Sequence, residues 1–122
     1  MSVIPTTALI TETLNLIKNA TPYLALYTAT PTISGGGTEV SGGSYARLPI
    51  TFGTITSGAM SNTAAITFSG LPNSNITHYG ILTAVTAGTL KVFGTLNSTA
   101  VVISGDQVQF PIGSIVINLS GS

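Results

Sequence analysis

Apolar residues recur at helical spacing near the start of the chain. Within residues 7–19 these residues stand about three or four positions apart: Leu9, Ile10, Leu14, Leu16 and Ile17. A threonine, either Thr6 or Thr7, is suited to cap the first turn. The helix is expected to end before Pro22, because the residue that precedes a proline avoids the α conformation. The pattern therefore predicts an N-terminal helical segment within residues 1–21.

Beyond the helix the pattern changes to the alternation of side chains that is typical of β-strands. Residues 23–29 are apolar on both faces, which predicts a central strand. Further strand segments follow, several of them separated by glycine-containing turns: residues 45–52, 58–68, 78–85, 89–96, 100–103, 108–111 and 114–119. Short strands at this spacing predict an all-β domain with a short N-terminal helix. The fold is expected to be an antiparallel β-sandwich, a jelly roll or a small barrel.

Two of these segments alternate most clearly and predict positions in the core. The predicted core residues are Ala64, Ile66 and Phe68 in one segment and Ile115, Ile117 and Leu119 in the other. No internal repeat and no block of like charges divides the chain. We therefore expect a single domain over residues 1–122.

Residues 30–44 are rich in glycine and predict a surface loop that is long for a passive connector. At its end, residues 40–45 resemble a hairpin with about four residues in its loop. Such a hairpin places Glu39 diagonal to Arg47, so that the two charges either form an ion pair or remain separately solvated. Tyrosine and arginine are enriched at binding hot spots. We therefore predict that Glu39, Tyr45 and Arg47 contact another protein.

The composition restricts the possible partners of the protein. Only 5% of the residues are charged, against roughly a quarter in a typical soluble domain. Three basic residues do not make a face that follows a phosphate backbone, so nucleic acid is not an expected partner. We also expect no signal peptide and no membrane span, since no basic leader and no apolar run of about 18 residues occurs. A nearly uncharged surface has little electrostatic protection against association and suits contact with other subunits.

Side chains for catalysis are few. The candidate acid–base groups are Glu12, Glu39, His78 and Asp106, and nothing in the local sequence couples them. His78 is the only imidazole and is expected to be a hydrogen-bonded structural residue rather than a metal ligand. No cysteine is present, and neither glycine run has the pattern of a phosphate-binding loop. We therefore expect no catalytic activity, no cofactor and no metal.

The most distinctive motif of the chain is Gly-Thr-Glu-Val-Ser-Gly-Gly-Ser-Tyr-Ala-Arg at residues 37–47. Together with residues 24–31, 61–68 and 77–81, it resembles a family of small tailed-bacteriophage structural proteins. The resemblance spans most of the chain. It implies a structural protein of the virion.

Two locations in the virion fit this resemblance. In the first, the protein is a capsid decoration or cement protein that binds the major capsid protein on the outer shell and stabilises contacts between capsid subunits. In the second, it is a tail fibre or baseplate accessory that binds a host surface receptor. Tryptophan is absent, and the four tyrosines and four phenylalanines lie mostly in predicted strands, which favours the capsid. We expect a homo-oligomer, either a dimer or a trimer, assembled in the host cytoplasm.

Overall fold

A computed structural model describes residues 6–34 and 36–119, and within them it places one helix ahead of nine β-strands. The helix α1 is Thr7–Asn19. The strands are β1 Tyr23–Ala29, β2 Thr38–Glu39, β3 Leu48–Pro49, β4 Ala59–Ser61, β5 Ile66–Phe68, β6 Ser74–Leu82, β7 Leu90–Val102, β8 Val108–Phe110 and β9 Val116–Asn118. These strands pair antiparallel, so the predicted all-β class with an N-terminal helix is confirmed. Residues 1–5 of the predicted N-terminal segment, and Gly35 of the predicted loop, lie outside the described residues.

Helix α1 forms where the apolar spacing predicts it. Thr6 is the N-cap, since its hydroxyl oxygen accepts a hydrogen bond from the backbone N–H of Leu9 at 3.4 Å. The helix ends at Asn19, and Thr21 takes a φ of 53° just before Pro22. Three of the five predicted apolar residues are buried: Ile10, Leu14 and Ile17. These side chains anchor the helix to the core.

Two apolar residues of α1 stay outside the core. Leu9 is 51% exposed and Leu16 is 73% exposed. The stripe that α1 buries is therefore narrower than its apolar sequence pattern, because the helix contacts the rest of the molecule along one side only. The structure leaves an apolar strip of the helix facing solvent.

Strand β1 is the centre of the largest sheet, whose order is β2-β1-β6-β7, with β3 also paired to β1. One edge of β1 pairs with β6 in a register that sets Tyr27 opposite His78. The other edge is shared, because β3 pairs with the start of β1 and β2 with its end. Both faces of β1 are buried, one through Leu24 and Leu26 and the other through Ala25 and Tyr27. The predicted central strand is confirmed.

The predicted strand at residues 58–68 is two strands, β4 and β5. Asn62 separates them, because its side-chain nitrogen donates to the carbonyl oxygen of Ala64 at 2.9 Å and bends the chain. The two strands then pair with different partners, β4 with β9 and β5 with β8. A local side-chain hydrogen bond therefore overrides the alternating pattern at this point.

The predicted strands at residues 89–96 and 100–103 join into one strand, β7. β7 pairs with β6 from Leu90 to Val102, and its extra residues are absorbed by two register shifts, between Ile76 and His78 and between Ile81 and Leu82 of β6. Such a bulge lets a strand continue where the two sides of a pair differ in length. The pattern located these strands correctly but not their ends.

One hydrophobic core joins α1 to strands of all three sheets. At its centre the rings of Phe68 and Tyr79 each meet Phe110 edge to face, with ring centroids 6.1 Å apart in both pairs. Of the predicted core residues, four are buried: Ile66, Phe68, Ile115 and Ile117. Leu119 is partly buried against the same core. The prediction for Ala64 is wrong, because Ala64 lies exposed in the turn between β4 and β5.

Asn62 is a polar side chain inside this core and is 1% exposed. Its nitrogen donates to the carbonyl oxygens of Ala64 and Pro111, at 2.9 Å and 3.0 Å. Its side-chain oxygen accepts a hydrogen bond from the N–H of Ile115 at 3.0 Å. Asn62 thereby fastens the turn after β4 to the segment that leads into β9.

Replacing Asn62 by alanine removes the side-chain oxygen that accepts from the buried N–H of Ile115, together with the donor to the carbonyl oxygens of Ala64 and Pro111. A buried N–H left without an acceptor costs about 1–3 kcal/mol. We expect Asn62→Ala to lower the free energy of unfolding by about 2–4 kcal/mol, measured by urea denaturation. Asn97→Ala, at an exposed position of β7, is the matched control and should stay within about 0.5 kcal/mol of wild type. Equal effects of the two substitutions would contradict the role given to Asn62.

Candidate interaction surface

The acid–base residues that stand out in the sequence do not form a reacting group. Glu12 is exposed on α1. Asp106 lies in the turn between β7 and β8, where its carboxylate accepts a hydrogen bond from the N–H of Ile103 at 3.2 Å. His78 lies on β6, with its Nδ1 atom 2.7 Å from the hydroxyl of Thr77. His78 is thus hydrogen-bonded, as the sequence predicts.

Within residues 6–34 and 36–119, no three His, Cys, Asp or Glu side chains are grouped so that they could hold a metal ion. Over the same ranges, no helix has the length and apolar character needed to cross a membrane. Glu39, the remaining candidate acid, lies on β2 and is engaged by two neighbouring side chains. The polar chemistry of the described chain therefore centres on Glu39 and its partners.

Glu39, Tyr45 and Arg47 form one hydrogen-bonded cluster. Nη2 and Nε of Arg47 lie 2.8 Å and 2.9 Å from the two carboxylate oxygens of Glu39, which makes a bidentate ion pair. The hydroxyl of Tyr45 donates to the same carboxylate and accepts from the N–H of Leu26 at 3.1 Å. The sequence leaves an ion pair and two solvated charges as alternatives, and the structure has the ion pair. The three predicted interface residues are therefore brought together.

The hairpin predicted at residues 40–45 is wrong. The strands that flank it, β2 and β3, pair with β1 rather than with each other. The chain between them instead crosses the segment before β6, where the N–H of Ser44 donates to the carbonyl oxygen of Gly70 at 2.8 Å. Gly43 has a φ of +56° there, and a Cβ atom at Gly43 would lie 2.6 Å from that oxygen. A glycine is needed for this approach of two backbones.

Arg47 also holds the connection between β6 and β7. Its Nη1 atom donates to the carbonyl oxygens of Ala84 at 2.9 Å and of Ala87 at 2.6 Å. The connection contains two residues in the left-handed region, Ala87 with a φ of 58° and Gly88 with a φ of 74°. One guanidinium group therefore links β2 to a turn that lies far away in the sequence.

Burial and hydrogen bonding shift the pKa values of the cluster. Burial by itself raises the pKa of Glu39, but the hydrogen bonds from Arg47 and Tyr45 outweigh it and hold this pKa below its ordinary value. Burial, followed by the hydrogen bond to Glu39, raises the pKa of Tyr45. The hydrogen bond to Glu39 raises the pKa of Arg47. At neutral pH the cluster therefore holds one carboxylate, one guanidinium and one neutral phenol.

The surface beside the cluster is concave. A depression of about 480 Å³ lies between residues 33–34 and the β6–β7 connection, with Arg47 in its wall. A neighbouring depression of about 260 Å³ shares Ile33 and Leu90 with it. Ile33 is fully exposed, and Phe93 in the second depression is 39% exposed. The cluster thus supports a surface with an apolar rim.

The sequence pattern does not single out Ile33 or Phe93 as surface residues. Ile33 is an apolar residue between threonine and serine in the glycine-rich loop, and this isolation is the signal that marks it. Phe93 lies on the same face of β7 as Lys91 and Thr95, so this polar face carries one aromatic ring. Both signals become readable only when the two segments are known to be neighbours.

Comparison with known families places the chain among phage proteins. Residues 4–118 match the family model described as "Podophage GP4 fiber I protein gp80". No curated protein matches the chain. Because the family match covers nearly the whole sequence, the chain belongs to this family. Its membership supports the resemblance to phage structural proteins and a structural role in the virion.

The lowered pKa of Glu39 predicts a loss of stability in acid. Because the folded pKa lies below the ordinary value of 4.5, the contribution of the ion pair is complete above that value and is lost as pH falls through the folded pKa. In urea denaturation between about pH 7 and pH 3, wild-type stability should fall more steeply than that of Glu39→Gln, which does not titrate there. Parallel pH profiles for the two proteins would contradict this assignment.

Removing the guanidinium of Arg47 should loosen the β6–β7 connection. Arg47→Met keeps much of the apolar stem but removes the donors to Ala84 and Ala87. We expect amide hydrogen exchange at Thr83 and Thr89, whose N–H groups are bonded across the connection, to speed up by about tenfold or more. Lys18→Met on α1 is the charge-matched control and should leave both rates unchanged. Unaltered exchange rates in Arg47→Met would show that the hydrogen bonds within the β6–β7 connection are sufficient to keep it ordered without Arg47.

Proposed function

We propose that this protein, as a member of the podophage GP4 fiber I protein gp80 family, is a subunit of a fibre on the phage tail. The family's description names a fibre protein, and the match over residues 4–118 carries the proposal. It favours the tail-fibre alternative over the capsid decoration role that the sequence favoured. The proposed partners are further copies of the chain and other tail proteins, in place of the major capsid protein.

The small number of charged side chains, and the bonding of some of them within the chain, support a structural role. The chain has only three acidic and three basic residues. One pair, Glu39 and Arg47, is bonded internally, and Asp106 accepts a backbone hydrogen bond. Little charge is therefore left to keep neighbouring subunits apart. Such a surface suits contacts that persist in an assembled particle.

We propose an indirect part in assembly for Glu39, Tyr45 and Arg47. The side chains of Arg47 and Glu39 are only 11% and 25% exposed, so they offer little area to a partner. Arg47 instead fixes the β6–β7 connection beside the exposed Ile33. Exposed apolar side chains of this kind mark interaction sites. The cluster positions the contact surface, and the apolar rim makes the contact.

We also propose that the protein catalyses no reaction in this role. A general acid or base at neutral pH works best with a pKa near 7. The pKa of Glu39 lies below its ordinary value, and the carboxylate is already bound by Arg47 and Tyr45. Glu12 and Asp106 lie on separate elements from it. Their arrangement supports no shared proton transfer.

Location in the virion tests the proposed function. Cryo-electron microscopy of purified virions should show density for this chain on the tail, in far fewer copies than the major capsid protein. Antibody labelling of intact virions, with an antibody against the major capsid protein as the control, should mark the same place. Density repeated over the icosahedral shell would overturn the fibre proposal and restore the decoration role. Absence of the chain from virions would overturn both.

A further inference from the structure

Helix α1 borders an apolar groove on the protein surface. The groove holds about 580 Å³ and lies between the C-terminal half of α1 and strands β6 and β7. Its walls are mainly aliphatic: Ile17, Pro22, Ile81, Leu82, Val92 and Leu119. Leu16 lies at its edge and is 73% exposed. A projecting leucine therefore stands beside a groove that is lined for aliphatic side chains.

Two exposed side chains of opposite charge lie at or near this groove. Glu12 is exposed on α1, one turn before Leu16, and Lys91 lines the groove from β7. Among the described residues, neither Glu12 nor Lys91 has an ion-pair partner. The other acidic side chains, Glu39 and Asp106, already accept hydrogen bonds within the chain. The groove thus has one unpaired positive charge in its wall, and one unpaired negative charge lies outside it on α1, in an adjoining depression that shares Leu16 and Ala20 with the groove.

The geometry points to a second copy of this chain as the occupant of the groove. In this contact Leu16 of each copy enters the groove of the other copy, and Glu12 of each copy faces Lys91 of the other. A two-fold axis repeats both interactions, which makes the contact isologous. This inference goes beyond the proposed function, because it holds wherever the protein lies in the virion.

Self-complementarity is the reason for choosing a second copy. A projection and a groove, and a negative and a positive charge, occur on one continuous surface, so a single chain supplies both halves of the contact. The groove shares Lys91 and Val92 with the neighbouring depression, which extends the surface to Ile33 and Phe93. A nucleic acid or an anionic lipid surface would need a cluster of basic residues, and this groove has one lysine.

Sedimentation equilibrium of the purified protein over a wide concentration range tests the contact. Wild-type protein should form a reversible dimer. Leu16→Asp should raise the dissociation constant by about tenfold or more, since it places a carboxylate in an apolar groove. Val101→Asp is the matched control, because Val101 is 72% exposed near the opposite end of β7, and it should leave the dimer unchanged. Circular dichroism should show that both variants fold, since both side chains are exposed in the single chain.

Charge reversal tests the pairing itself. Glu12→Lys or Lys91→Glu alone brings like charges together and should raise the dissociation constant about threefold to tenfold. The double variant E12K/K91E, or an equimolar mixture of the two single variants, pairs opposite charges again and should recover the wild-type value. Lys18→Glu is the control for a charge change outside the groove.

Three outcomes overturn the inference. A wild-type protein that stays monomeric shows that a second copy does not occupy the groove. A dimer that Leu16→Asp leaves intact uses another surface. A double variant that fails to recover association shows that Glu12 and Lys91 do not face each other. All three are measured on the purified protein, so failure here is distinct from failure of the tail location.

Discussion

The burial of strand β1 on both faces is the constraint on which the rest of the structure depends. One face contributes Leu24 and Leu26 to the main core, and the other packs against Leu82 and Leu90. Backbone groups of a buried strand need hydrogen-bond partners on both edges. β6 supplies them on one edge, while β2 and β3 share the other. Because β2 pairs with the end of β1, Glu39 lies there. The chain then returns to pair β3 with the start of β1, and Arg47, just before β3, contacts Glu39 on the way.

The Glu39–Arg47 ion pair follows from this arrangement and has a consequence for the surface. In a chain with so few charges, one bonded pair removes a large part of the charge that would otherwise face solvent. The guanidinium also holds the turn between β6 and β7, next to which the exposed Ile33 lies. The same region of the protein therefore bonds two charged side chains internally and exposes an apolar side chain, Ile33, to solvent. Both suit a structural protein of the virion, such as the proposed fibre subunit, that remains in contact with other subunits.

The candidate site was only partly predictable. The motif at residues 37–47 contains all three members of the cluster, and the sequence leaves the ion pair as one of two alternatives. The hairpin prediction is wrong because the local sequence does not reveal that β2 and β3 each pair with the same edge of a third strand, β1. The groove beside α1 left no sign in the sequence, since Leu16 belongs to the same apolar pattern as the buried Ile17. Which of two neighbouring apolar residues faces solvent depends on what the helix lies against.

The sequence by itself determined the period of most segments, and with it the helix, most of the strands and the all-β class, whereas β2 lies within the predicted loop at residues 30–44. These follow from side-chain spacing and from proline and glycine, which act over a few residues. The tertiary structure decided where strands end, which of them pair, and which side chains remain outside. The split of residues 58–68 at Asn62 and the single long β7 are examples. These outcomes depend on contacts between residues far apart in the chain, which a local period does not encode.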